Sequence, residues 1–69
     1  MLTVNPKHTE LDELMKKVFL IWENYTGGSV TVEEDGSVFL DTYEDTYYYN
    51  NKKEAVDECL YTISQWLMS

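Results

Sequence analysis

Four aliphatic residues arranged around one turn constrain this chain most. Val30 and Val32 alternate with polar residues on one side of Asp35-Gly36, and Val38 and Leu40 do so on the other. An Asp-Gly pair between two alternating runs is a strong hairpin signal. Side chains along a strand point to opposite faces, so a slip of one residue would turn all of them over. The register therefore follows from which loop gathers the apolar residues on one side. A two-residue loop sets Val32 opposite Phe39 and Val30 opposite Asp41, mixing charge into the core face. A three-residue loop, Glu34-Asp35-Gly36 with Gly36 left-handed, sets Val32 opposite Val38 and Val30 opposite Leu40. It leaves Thr31, Glu33, Phe39 and Asp41 on the other face, and it is the arrangement expected.

Beyond Leu40 the chain turns around Tyr43-Glu44-Asp45, and Thr46 to Asn50 favours a third strand through the β-preference of Thr and Tyr. With Glu44-Asp45 at the tip, Tyr47 and Tyr49 face inward beside Thr42 and Leu40, and Tyr48 faces outward beside Asp41. A longer loop exchanges these roles. On the N-terminal side, Thr9-Glu10-Leu11-Asp12 predicts a helix start. Leu11, Leu14, Met15, Val18, Ile21, Trp22 and Tyr25 then recur on one helical face, while Phe19 and Leu20 fall outside that stripe. Those two either widen the buried face or mark a contact surface. Gly27-Gly28 ends the helix. Asn51-Lys52-Lys53-Glu54 resembles a capping box, followed by Ala55, Val56, Cys59, Leu60, Ile63, Trp66 and Leu67 at helical period.

These elements predict a single small α+β domain over 1–69, in the order α-β-β-β-α. The expected ranges are a helix at 9–26, strands at 29–34, 37–43 and 46–50, and a helix at 52–68. Residues 1–8, with Pro6, form an extended arm or the cap of the first helix. Two helices that each have one apolar stripe pack together on one face of a three-stranded antiparallel meander and leave the other face to solvent.

A chain of 69 residues buries only about 60% of the surface its unfolded form exposes, which leaves no room for a second domain or a deep substrate pocket. Thirteen Asp and Glu against five Lys and Arg give a net charge of −8. Binding nucleic acid directly depends on Lys and Arg displacing counterions, so such a charge argues against it, and equally against an anionic membrane. Basic proteins are the complementary partners. The chain is not a disordered acidic tail, because 43% of it is hydrophobic. A lone cysteine, Cys59, permits no internal disulfide, and the longest apolar run, 18–22, is far short of the roughly 20 residues that span a bilayer. A soluble, unprocessed cytoplasmic protein is expected.

No residue set forms a catalytic constellation, so no enzymatic activity is expected. His8 is the only histidine, too few for a structural zinc site with Cys59 and the only base available to Ser29, Ser37, Ser64 or Ser69. Aligning Gly36 with the glycine of a calcium-binding EF-hand puts Thr31, Glu33 and Asp35 at the early ligand positions and Thr42 at the closing one. Two required carboxylates are then missing. Glu33 and Asp41 share the open face and are the candidate carboxylate pair, but a general acid and base need a water-excluding cleft that a small sheet does not offer. No metal and no cofactor are expected.

The charge pattern remains. Between Lys17 and Lys52 stand Glu23, Glu33, Glu34, Asp35, Asp41, Glu44 and Asp45, with no Lys or Arg. They share their segment with Phe39, Tyr43 and Tyr48, and exposed aromatics among charges mark an interface. Strands space same-face side chains about 6.6 Å apart, from a rise of roughly 3.3 Å per residue, close to the phosphate spacing of a nucleic-acid strand. Carboxylates so placed suit Arg forks, and tyrosines suit guanidinium planes. The expected partner-binding set is Glu33, Glu34, Asp35, Phe39, Asp41, Tyr43, Glu44, Asp45 and Tyr48.

A small acidic α-β-β-β-α chain with Glu33-Glu34-Asp35, Asp41 and Glu44-Asp45 around a Tyr-rich sheet resembles the phage-encoded anti-CRISPR proteins that imitate DNA. The resemblance is of overall style along the whole chain, and it implies binding to the DNA-recognition groove of a CRISPR effector complex. The function expected is inhibition of a basic nucleic-acid-binding host protein by a monomer or homodimer. The alternative is a dimeric assembly module with Phe19, Leu20, Tyr48 and Met68 as its self-association surface and the acids serving only solubility.

Overall fold

The computed structural model describes residues 2–5 and 12–68. Its elements are β1 (Thr3–Val4), α1 (Glu13–Thr26), β2 (Ser29–Val32), β3 (Val38–Asp41), β4 (Thr46–Tyr49) and α2 (Lys52–Leu67). The fold is α+β, and the strands lie in the order β1-β2-β3-β4. Val30, Val32, Val38 and Leu40 are essentially inaccessible and join Val18, Phe19, Trp22, Ala55, Val56 and Cys59 from the helices in one core. Both helices thus cover the same face of the sheet.

The β2–β3 hairpin has the expected register, Val32 opposite Val38 and Val30 opposite Leu40. Residues 34–36 form its loop, closed by Glu33 N–H to the Ser37 carbonyl at 2.9 Å and Gly36 N–H to the Glu33 carbonyl at 3.1 Å. Gly36 has a φ of 87°, a conformation that costs glycine no steric clash. The strands are shorter than the expected 29–34, 37–43 and 46–50, because the chain leaves the ladder as soon as each turn's own hydrogen bonds begin.

Three expectations need correction. The sheet has four strands and is mixed. The N-terminal arm supplies β1, parallel to β2 with Thr3 beside Thr31 and Val4 beside Val32. Asn5 N–H donates to the Val32 carbonyl at 2.9 Å, and Leu2 and Val4 pack on the core. The arm thereby satisfies part of an edge that would otherwise be unpaired.

The second correction concerns the β3–β4 turn. Residues 42–45 form a four-residue loop, in which Thr42 N–H reaches the Asp45 carbonyl at 2.7 Å and Asp45 N–H reaches Thr42 Oγ1 at 2.9 Å. Pairing shifts by two residues, to Asp41 with Thr46, Leu40 with Tyr47, Phe39 with Tyr48 and Val38 with Tyr49. A shift of two keeps every side chain on its face, so Tyr48 still points outward, but beside Phe39 and not Asp41.

The third is the buried face of α1. The expected start at Thr9, together with Pro6, His8 and Leu11, lies outside the described residues. Asp12 caps Glu13–Thr26, its Oδ1 accepting from Leu14 N–H at 2.8 Å. Phe19 is 0% exposed whereas Leu14 is 68% and Ile21 44% exposed. The arc facing the sheet is Met15, Val18, Phe19 and Trp22, spaced i, i+3, i+4, i+7. The expected stripe was rotated toward the flank of the helix. On α2, which Asn51 caps through Glu54 N–H at 2.9 Å, Ala55, Val56 and Cys59 are buried while Leu60 and Leu67 are exposed.

Two adjacent glycines end α1 for different reasons. Gly27 takes a φ of 73° and donates its N–H to the Glu23 carbonyl at 2.8 Å, as a left-handed helix cap does. Gly28 has no room for a side chain, since a methyl group there would run into the Asp41 carbonyl oxygen and the Trp22 ring.

Candidate functional site

The face of the sheet away from the helices carries Thr31, Phe39, Asp41 and Tyr48. Phe39 and Tyr48 pack across the β3–β4 ladder with ring centroids 5.1 Å apart and planes at 60°, the tilted geometry that aromatic pairs prefer. They join Glu33, Glu34, Asp35 and Ser37 around one open depression beside the β2–β3 loop. Five of the nine residues expected to bind a partner therefore converge. Asp41 sits at the opposite end of the β2–β3 ladder, across from Ser29. Tyr43, Glu44 and Asp45 continue past it in the β3–β4 loop, where Tyr43 is 98% exposed. The expected surface is thus two acidic clusters separated by the length of β3, about 13 Å from four residues at roughly 3.3 Å each.

This geometry also separates Glu33 from Asp41, which stand at opposite ends of the ladder and not side by side. No carboxylate pair for acid–base chemistry forms there. Among the described residues, no group of three His, Cys, Asp or Glu side chains is placed to hold a metal ion. Cys59 is fully buried, and burial first, then Glu58, pushes its thiol up to about 12. It holds no thiolate near neutral pH and is a poor nucleophile.

Several acids have structural duties that sequence reasoning missed. Glu23, in the last turns of α1, accepts the N–H of Val30 at 2.7 Å and so fastens the helix to β2. Asp35 Oδ1 accepts both Ser37 N–H at 2.9 Å and Ser37 Oγ at 2.6 Å, fixing the loop. Asp41 Oδ1 accepts the Thr46 hydroxyl at 2.8 Å. An Asp two residues before a Ser across a glycine is a turn-forming pattern, so the second of these was readable in advance. The first was not, because it joins residues on different elements.

Among the described residues, two lysines are paired inside the helices. Lys16 pairs with Glu13 at 3.5 Å and Lys53 with Asp57 at 2.9 Å, each within its own helix. The bond to Asp57 raises the Lys53 pKa. On the other side of the molecule, Leu14, Leu20, Ile21 and Tyr25 of α1 and Leu60, Tyr61, Trp66 and Leu67 of α2 are exposed. Phe19 lies inside the core and cannot belong to the self-association surface first drawn with Leu20, Tyr48 and Met68.

Comparison with protein-family models, curated proteins and solved structures finds no match to this chain. No helix among the described residues is long and apolar enough to cross a membrane.

Proposed function

We propose that this protein is a non-enzymatic inhibitor whose acidic sheet face occupies a basic nucleic-acid-binding site. The observation that carries this reading is the uncovered Phe39–Tyr48 pair, ringed by Glu33, Glu34 and Asp35 in one depression. Carboxylates there receive Arg and Lys, and the rings offer faces to guanidinium groups. Asp41, Glu44 and Asp45 continue the charge at the far end of β3, with Tyr43 exposed beside them. The partner is a basic host defence protein, and the resemblance to acidic DNA-mimicking inhibitors favours a CRISPR effector subunit in the host cytoplasm.

The test is capture of a basic nucleic-acid-binding subunit from a bacterial lysate, followed by titration with salt and DNA. Affinity is expected to fall at least about tenfold between roughly 50 and 200 mM salt, because exposed charges drive the encounter. Duplex or single-stranded DNA should displace the protein. A complex indifferent to both salt and DNA would sink the proposal.

A second reading is favoured by the exposed apolar residues of the two helices, since a large apolar patch marks an association surface. In this reading the helical side pairs with another copy of the chain and the acids only maintain solubility. Mass measured in solution should then be twice the chain mass and return to the monomer value in Ile21→Ser with Leu67→Ser. A wild-type monomer at every concentration rules it out.

A further inference from the structure

A second cavity, of about 250 Å³, lies between the helices and the sheet and is lined by Trp22, Thr26, Leu40, Thr42, Tyr47, Tyr49, Glu58 and Thr62. It is distinct from the acidic depression, which lies on the opposite face. Drug-sized ligands and cofactors occupy roughly 300–1,000 Å³, so this space suits a small group. Three of its walls are aromatic, and its polar chemistry is lopsided. Thr26 Oγ1 donates to the Trp22 carbonyl at 2.8 Å and accepts Gly28 N–H at 3.1 Å. Thr42 Oγ1 is held by the backbone of Asp45 in both directions, and Thr62 Oγ1 donates to the Glu58 carbonyl at 3.0 Å.

With the threonine protons committed to backbone and the Tyr47 phenol 3.5 Å from Asp45 Oδ2, the donors left for an anion are the neutral phenol of Tyr49 and the indole N–H of Trp22. What remains facing it is the Glu58 carboxylate, which has no ion pair among the described residues, and the phenol of Tyr49. Burial, and next Glu58, raises the pKa of Tyr49, so that phenol stays neutral. The C-terminal turn of α1, the negative end of its dipole, borders the site through Trp22 and Thr26. A negative potential inside aromatic walls selects a cation, and one with apolar substituents over a strongly hydrated metal ion.

We propose that this cavity binds an alkylated ammonium group, held by Trp22, Tyr47 and Tyr49 with Glu58 as its counter-charge. The proposal is independent of the acidic face. Choline and its neutral isostere 3,3-dimethylbutan-1-ol separate charge from shape, and NMR resolves the indole N–H of Trp22 from that of Trp66. Choline is expected to shift the Trp22, Tyr47 and Tyr49 signals saturably, and the neutral isostere to leave them in place.

Glu58→Gln and Tyr47→Ala each change an exposed position, so far-UV circular dichroism should be unaltered while choline affinity falls about fivefold or more. A peptide bearing trimethyllysine, titrated beside choline, tells the two sources apart. Tighter binding of the peptide assigns the group to a protein chain, and tighter binding of choline assigns it to a free small molecule. Equal binding of the neutral isostere, or shifts that do not saturate with either cation, would overturn the assignment.

Discussion

Replacing Phe19 by alanine is expected to cost about 3–5 kcal/mol, the range for truncating a buried phenylalanine, and to leave most of the chain unfolded at 25 °C. Phe19 is one of the largest fully buried side chains, enclosed by Val18, Trp22 and the core residues of both sheet and α2. A domain below 70–80 residues rarely draws more than about 3–5 kcal/mol of net stability from its core. The loss therefore matches the whole. Urea unfolding followed by circular dichroism measures it, with Leu20→Ala as the control. Leu20 is adjacent in sequence but 52% exposed, and its loss should shift stability by no more than about 0.5 kcal/mol. Similar midpoints for the two variants would mean that the helix is rotated relative to the arrangement described.

Reversing charge at both ends of the sheet face, Glu33→Lys with Asp41→Lys, is expected to weaken binding to a basic nucleic-acid-binding partner by about a hundredfold or more, since like charges set face to face cost several kcal/mol. Each reversal changes the net charge by two, taking −8 to −4. A control with the same net charge is Asp57→Lys with Glu58→Lys on α2. It should lose less than about tenfold, because only the long-range attraction changes and salt screens that over roughly 10 Å. Equal loss in the two doubles would show that overall charge, not the sheet face, governs binding. Far-UV circular dichroism of each double variant shows that it remains folded. The cost to the fold is small, as the one bond lost at Asp41 is an exposed contact with the Thr46 hydroxyl.

The parts of the fold that were legible in the sequence are those decided locally. The hairpin register follows from four aliphatic residues and one glycine, since only one loop length buries Val30, Val32, Val38 and Leu40 together. The capping of α2 by Asn51 is equally local. What was not legible depends on distant partners. The apolar residues of α1 fill two adjoining arcs, Met15-Val18-Phe19-Trp22 and Leu14-Ile21-Tyr25. Periodicity alone does not say which arc meets the sheet. The two-residue β1 is too short to have a pattern, and its pairing is fixed by the edge of β2. The β3–β4 turn contains no glycine, and the hydrogen bonds between Thr42 and Asp45 set its length. Of the candidate site, the acids and aromatics could be read as a group, and the hairpin register already sets Glu33 and Asp41 at opposite ends of β3, whereas the placing of Tyr48 beside Phe39 depends on that turn. The roles of Glu23 and Asp41 as acceptors depend on which donors the fold brings near.

The contact between Tyr25 and Trp66, with ring centroids 4.8 Å apart, joins the last turn of α1 to the last turn of α2. The two helices therefore point the same way, and neither has a basic residue in its final turn. Each helix end carries roughly half a negative charge from its own carbonyl groups, so the backbone adds a field that no side-chain substitution removes. Lys16, Lys17, Lys52 and Lys53 all lie in the opening turns, at the other end, where they offset Asp12, Glu13, Glu54 and the acids of the β2–β3 loop. The β3–β4 loop with Glu44 and Asp45 projects from the carbonyl end, where Gly28 lies against Asp41. The molecule is thus an electric dipole as well as a net anion. Against a basic surface this backbone field adds to the pull on the Tyr43-Glu44-Asp45 end, while the side chains of Glu33, Glu34 and Asp35 supply the pull on the other.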